Sequence, residues 1–181
     1  MKFTATQIPG VMLLEPRVYG DDRGFFMESW NAATFAEAGL DLTFVQDNHS
    51  SSAAGVLRGM HFQIGRPQGK LVRVVAGAAY DVVVDLRRSS PTFGQWFGAE
   101  LSARNRRILW APPGMAHGFL SLQNGTEFLY KCTDFYSPDL ERSLLWNDPD
   151  VGIEWPLDGA APQLSAKDVA GVPLVQCESY P

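Results

Sequence analysis

Apolar and polar residues alternate in short segments over the first three quarters of the chain, and each segment is bounded by Gly, Pro, Asn or Asp. The pattern is explicit at 80–86. There Tyr80, Val82, Val84 and Leu86 share one parity and Asp81, Val83 and Asp85 the other, the period-two signature of a strand. The same reading predicts strands near 11–15, 25–30, 43–48, 56–63, 70–76, 79–86, 93–101, 106–110, 117–123 and 126–134. Asn124-Gly125 separates the last two runs and predicts a hairpin, because both residues tolerate positive φ. One helix is predicted over 32–38, with Asn31 as its cap and Gly39 as its stop. Many short strands and so little helix make the chain mainly β, as a sandwich, jelly roll or barrel. The periodicity fades after Ser137, and the Pro-rich tail over 149–181 is expected to wrap over the barrel or over a partner. With no repeat, linker or low-complexity tract, residues 1–181 read as a single domain.

Composition then narrows the functional classes. Hydrophobic residues make up 45% and charged residues 19%, which is a globular balance rather than a disordered one. No apolar run reaches the length of a membrane span, and Met1-Lys2-Phe3-Thr4 does not open a signal peptide, so no membrane partner is expected. Two cysteines, Cys132 and Cys177, do not make a disulfide framework, and a reducing cytoplasm fits them. A net charge of −5 argues against nucleic-acid polymers as partners. The cations are unevenly spread: Arg23, Arg58, Lys70, Arg73, Arg87 and Arg88 all fall in the first half. They read either as solvated surface residues or as a cluster for a compact anionic ligand.

Three histidines can each be weighed. His61 lies in Leu57-Arg58-Gly59-Met60-His61-Phe62-Gln63, where parity puts Leu57, Gly59, His61 and Gln63 on one face. An imidazole, an amide and a glycine together suit a site with room in it, although a structural histidine fits these residues equally well. His117 follows Pro113-Gly114-Met115-Ala116, and the spacing Pro-x-Gly-x-x-His resembles the second motif of the cupin superfamily. Metal cupins add a His-x-His pair and a glutamate, but here the earlier strand offers His61-Phe62-Gln63, and the nearest acid after it is Asp81. That is too few donors for a zinc or iron site, so no metal is expected. His49 has the wrong parity relative to Gln46 and Asn48 and reads as structural or exposed. Tyr130 shares its face with Phe128 and Cys132 and points inward, as a core tyrosine or a proton donor. Lys70 opens a strand as a surface lysine or as an ammonium in the barrel mouth.

Nine stretches in order resemble the dTDP-4-dehydrorhamnose 3,5-epimerase family. They are Asp21–Phe26 with Glu28, Phe44–Ser50, Leu57–Gln63, Gln68–Arg73, Asp81–Gly94, Pro113–Phe119, Tyr130–Pro138, Trp146–Pro149 and Leu164–Asp168. The resemblance implies a cupin-type jelly-roll β-barrel with few short helices, a homodimer and no cofactor. It implies inversion of C3 and C5 of dTDP-4-dehydro-6-deoxy-D-glucose, on the route to dTDP-L-rhamnose. By position, His61 matches the family's proton acceptor and Tyr130 its donor. Asp168 matches the acid paired with the histidine, and Lys70 the lysine near the C4 oxygen. Arg23, Glu28, Gln46, Asp47, Asn48, Arg58, His117, Glu141 and Lys167 match ligand-contacting positions, and Tyr136 with Phe25 or Phe26 are candidates to pack against thymine. Met60, Phe62 and Met115 depart from the commoner Leu, Tyr and Phe while conserving volume.

Enolisation beside a ketone explains why such residues are wanted. Histidine's reference pKa of about 6.5 suits a base at neutral pH. An ammonium offsets charge on the enolate oxygen, and inversion needs an acid on the opposite face. Arginine supplies two-pronged contacts to a diphosphate. Parity sets Arg58 and His61 on opposite faces, so either Gly59 makes a bulge or Arg58 serves a neighbouring subunit. The strand-like segment 1–15 is placed to pair with a partner's sheet. The competing readings are a C3-only or C5-only epimerase of antibiotic deoxysugar synthesis, a metal-dependent cupin enzyme and a non-catalytic sugar-binding cupin. Retention of both a base and an acid argues against the last.

Overall fold

A computed structural model describes residues 1–181. The alternating segments form two facing antiparallel sheets. One has six strands, in the order β1 (Lys2–Ala5), β2 (Met12–Glu15), β10 (Ile108–Ala111), β7 (Lys70–Ala76), β12 (Thr126–Cys132) and β5 (Gln46–Ser52). The other has five, in the order β13 (Glu141–Ser143), β6 (Leu57–Gln63), β11 (Met115–Ser121), β8 (Ala78–Asp85) and β9 (Trp96–Ser102). A separate hairpin pairs β3 (Val18–Asp21) with β4 (Gly24–Met27). The helices are α1 (Ala32–Glu37) and the four-residue α2 (Ala166–Val169). The chain is mainly β with few short helices, a cupin-type jelly roll.

Three apolar clusters follow from strand parity. Val72, Val74, Leu109 and Phe128 of the six-stranded sheet meet Ala79, Val83, Leu101, Met115 and Phe119 of the five-stranded one. The outer face of the five-stranded sheet, with Met60, Phe62, Val82 and Val84, is covered by Val151, Cys177 and Tyr180 of the tail. Val82, Val83 and Val84 are therefore all buried, as both faces of β8 are covered. On the other side, Phe35 of α1 packs on Leu14, Leu71, Ile108 and Trp110. The Asn31 side chain caps α1 by accepting from the Ala33 and Thr34 N–H groups, and Gly39 takes φ +83 just beyond it.

One expectation changes. Asn124-Gly125 does turn, with Gly125 at φ +71, but β11 and β12 are not a hairpin pair. Both neighbours of β11 are already in place, β6 and β8, so the chain crosses to the opposite sheet. Segment 1–15 is seated in the chain's own sheet, with β1 on β2 and β2 on β10. The tail over 149–181 touches the barrel through isolated bridges, Val56 to Gln163 and Arg87 to Tyr180, and Val172 bridges to Leu144. No helix is long and apolar enough to cross a membrane.

The β6–β11 ladder carries the feature that shapes the site. Its register shifts between His117 and Phe119, opposite Gly59, which has φ +147. A Cβ on Gly59 would lie 2.6 Å from the Gly118 Cα, so the bulge needs glycine for both its angle and its close approach. Gly59→Ala is expected to destabilise the fold by on the order of 3 kcal/mol. A thermal melt checks this.

Candidate active site

The bulge turns two residues of β6 towards one cavity. Strict alternation would separate Arg58 from His61, yet both line a cavity of about 400 Å³ between the sheets. Across from β6, the register stacks Gln46, Cys132 and Lys70 in one row and Asn48, Tyr130 and Val72 in the next. Gln46, Asn48, Lys70 and Tyr130 all line the same cavity, as does His117 of β11. Tyr136, Glu141 and Lys167 close its rim: Glu141 accepts from the Tyr136 hydroxyl at 2.8 Å and from the Lys167 ammonium. Gln63 holds the rim loop by donating to the Phe135 carbonyl and accepting from the Ser137 N–H.

Asp168 reaches the cavity from α2 although it stands 107 residues from His61. Its Oδ1 accepts from His61 Nε2 at 2.7 Å and from the Gly59 N–H at 3.1 Å. A carboxylate only accepts, so Nε2 carries the proton and Nδ1 keeps the basic lone pair. Burial lowers the His61 pKa against the opposing pull of Asp168, with Lys167 and Lys70 lowering it further, so the imidazole is neutral near pH 7. A second pair, His117 with Asp81 at 2.7 Å, is buried beside it, and Asp81 Oδ2 has no hydrogen-bond partner. Burial raises the Asp81 carboxyl against the pull of His117 and Lys70. Burial likewise pushes Tyr130 up to about 12, so its phenol keeps its proton at neutral pH. Burial also lowers the Lys70 ammonium, offset by Cys132, Glu141 and Asp81. A base oriented by a carboxylate, a protonated phenol on the facing sheet and an ammonium beside it are the equipment for moving a proton next to a carbonyl.

The family profile of dTDP-4-dehydrorhamnose 3,5-epimerase matches residues 5–176. The chain belongs to the dTDP-4-dehydrorhamnose 3,5-epimerase family. It is 57% identical to the enzyme of that name from Pseudomonas aeruginosa, over the whole of both chains. To the one from Salmonella typhimurium it is 58% identical over 94% of each. A crystal structure of dTDP-6-deoxy-D-glucose-3,5-epimerase from Legionella pneumophila, in complex with dTDP-4-keto-L-rhamnose, superposes with a TM-score of 0.94. That protein shares 49% identity, with 98% of this chain and 94% of that one covered.

The remaining family positions are split by the fold. Asp47 lies between Gln46 and Asn48 on β5, so it points outward, where its carboxylate accepts from Lys131 at 3.0 Å. Arg23, Phe25, Phe26 and Glu28 lie on or just after the β3–β4 hairpin, outside this chain's cavity. Arg23 donates to Asp21 there, and Phe25 and Phe26 are 57% and 69% exposed. Nor do the first-half cations gather as one cluster. Arg87 is held by Asp85, whose carboxylate is raised by burial but brought down to about 2 by Arg87, Ser90 and Thr92. Arg88 donates to Ser179, while Arg73 lines an outer cleft with Asp47 and Lys131. His49 is exposed and bonded to Glu127. Ser50, Gln68, Phe119 and Ser165 line the cavity without having been singled out. Parity with Gln46 and Asn48 was enough to find Ser50, whereas the Ser-x-x-Asp spacing marks Ser165 only as a helix cap and does not place it at a cavity.

Proposed function

We propose that the chain inverts C3 and C5 of dTDP-4-dehydro-6-deoxy-D-glucose to give dTDP-4-dehydro-L-rhamnose, the reaction of its family in dTDP-rhamnose biosynthesis. The observation that carries the reading is the pairing of His61, bonded to Asp168, with the Tyr130 hydroxyl of the facing sheet in one cavity. The Tyr130 hydroxyl and the Lys70 ammonium make no hydrogen bond within the chain, so both are free for a ligand. In the proposed step, His61 Nδ1 takes the proton from C3 or C5 and the electron pair moves onto the C4 oxygen. Lys70 faces that oxygen and stabilises the enolate. Tyr130 delivers a proton to the opposite face, and solvent restores its hydroxyl while His61 sheds the proton it took. Arg58 contributes a cation for the diphosphate within its own subunit, and Tyr136 a ring for the thymine. The experiment is incubation of chelator-treated enzyme with the substrate, followed by NMR of the product. The doubly inverted sugar is expected. A singly inverted product would make this a C3-only or C5-only enzyme, and activity lost on chelation and regained with one metal would end the cofactor-free reading.

The hairpin is read as the partner's contribution. Arg23, Phe25, Phe26 and Glu28 stand away from this cavity with apolar rings exposed, which suits insertion into the cavity of a second copy in a homodimer. Mixing His61→Ala with Arg23→Ala protein is expected to restore activity, because one site of the hybrid then has both native residues. If Arg23 serves its own subunit, the mixture stays as weak as its components. We also place the enzyme in the cytoplasm, where the buried, unpaired Cys132 and Cys177 stay reduced.

A further inference from the structure

One carboxylate serves two structures at once. Ser165 caps α2, its hydroxyl accepting from the Asp168 N–H at 3.3 Å, and Asp168 Oδ2 accepts in return from the Ser165 N–H at 3.0 Å. This is a capping box. The Ser165 hydroxyl also donates to that same Oδ2 at 2.5 Å, while Oδ1 faces His61 and the Gly59 N–H. All the lone pairs that matter are thus directed, and the Asp168 side chain is only 4% exposed. A four-residue helix has no stability of its own, and single bridges at Gln163 and Val172 hold the segment on either side. The orientation of Asp168 therefore depends on its local clamp.

We propose that Ser165 is a positioning residue of the epimerisation: its hydroxyl holds Asp168 Oδ2 so that Oδ1 meets His61, and by donating to the carboxylate it sets how basic His61 is. The proposal rests on the reading of His61 as the base. Burial alone would raise the Asp168 carboxyl. Donation from His61, then from the Ser165 hydroxyl and the backbone of Gly59 and Ser165, holds it well below the usual carboxylate range. Removing the hydroxyl makes the carboxylate a stronger base, which favours the imidazolium of His61 and raises its pKa. The other groups around His61 are Lys167 beside Asp168, Lys70 of β7, Glu141 of β13, Arg58 of β6, Tyr130 of β12 and His117 of β11 with Asp81 of β8. None of them changes in the test.

The test is the pH profile of kcat/KM for Ser165→Ala, Ser165→Gly and Ser165→Thr, with thermal melts and dTDP affinity alongside. Ala and Gly are each expected to lower kcat/KM about 10-fold at neutral pH and to move the acid limb up by about half a pH unit. Nucleotide affinity should hold, and Thr should restore rate and limb together. Glycine keeps most of the cap's stability, to within a few tenths of a kcal/mol, so the Gly variant reports on the hydroxyl even if Ala fails to fold. A limb that stays in place while rate and melting temperature fall together would overturn the proposal and leave Ser165 a helix cap. Native rates in Ala or Gly would overturn it too. Activity surviving in His61→Ala would remove the base reading and this inference with it, which is a different result from inert Ser165 variants in a His61-dependent enzyme.

Discussion

Replacing His61 with alanine is expected to abolish exchange of solvent deuterium at both C3 and C5 and to lower turnover by about 10³-fold or more. His61 is the cavity histidine whose free nitrogen is a base at neutral pH: burial keeps it neutral, and Asp168 fixes Nε2 as the protonated side. His117 is the competitor, since it lines the same cavity and has an aspartate of its own. The variant separates them. If His117 served one of the two carbons, exchange there would survive in His61→Ala while the other was lost. His61→Gln is the companion variant, because its amide nitrogen stands near the position of Nε2 and can still donate to Asp168, which spares a buried carboxylate the loss of a partner, worth roughly 1–3 kcal/mol. Substantial exchange at both carbons in a folded variant would remove His61 as the base.

The second large effect concerns Tyr130. Its hydroxyl makes no hydrogen bond in the chain and its ring packs against Phe128 at 6.2 Å between centroids, so Tyr130→Phe removes chemistry while leaving packing nearly unchanged. A base on one wall can form the enolate without the acid on the other. The variant is therefore expected to bind nucleotide and wash deuterium into the substrate, with His61 returning the label to the face it left. Inversion should fall much further than exchange, by on the order of 100-fold or more. The loss need not be equal at the two carbons, and a singly inverted sugar would then accumulate. A core tyrosine with no role in proton delivery forecasts something else: a small change in stability, with inversion and exchange falling together or not at all. Comparing the two rates in one NMR tube decides between them.

Much of this is legible in the sequence, for reasons particular to each residue. Alternation along β8 and β12 located strands whose inward rows became the core and the cavity floor. The same rule placed Gln46 and Asn48 inward, and it places Asp47 outward, where the family comparison alone had set a ligand contact. Parity failed at Arg58 and His61 because it assumes an unbroken ladder, and Gly59 breaks it. The turn at Asn124-Gly125 was visible, but its destination depended on which strand slots were already filled, a property of the whole sheet. Asp81 stood in the chain only as the acid nearest to an incomplete metal set, and its bond to His117 crosses between strands. The reach of Asp168 to His61 spans 107 residues and belongs to the folded tail.

In the proposed reaction one cavity deprotonates and inverts both carbons flanking the ketone. The most direct measurement is turnover of dTDP-4-dehydro-6-deoxy-D-glucose by the wild-type enzyme in deuterated water, with NMR of label and configuration at C3 and C5. Reaction through an enolate at both carbons puts solvent deuterium at each, with inverted configuration, in the isolated dTDP-4-dehydro-L-rhamnose. Inverted carbons that keep their original protons, or label and inversion at one carbon only, would contradict it.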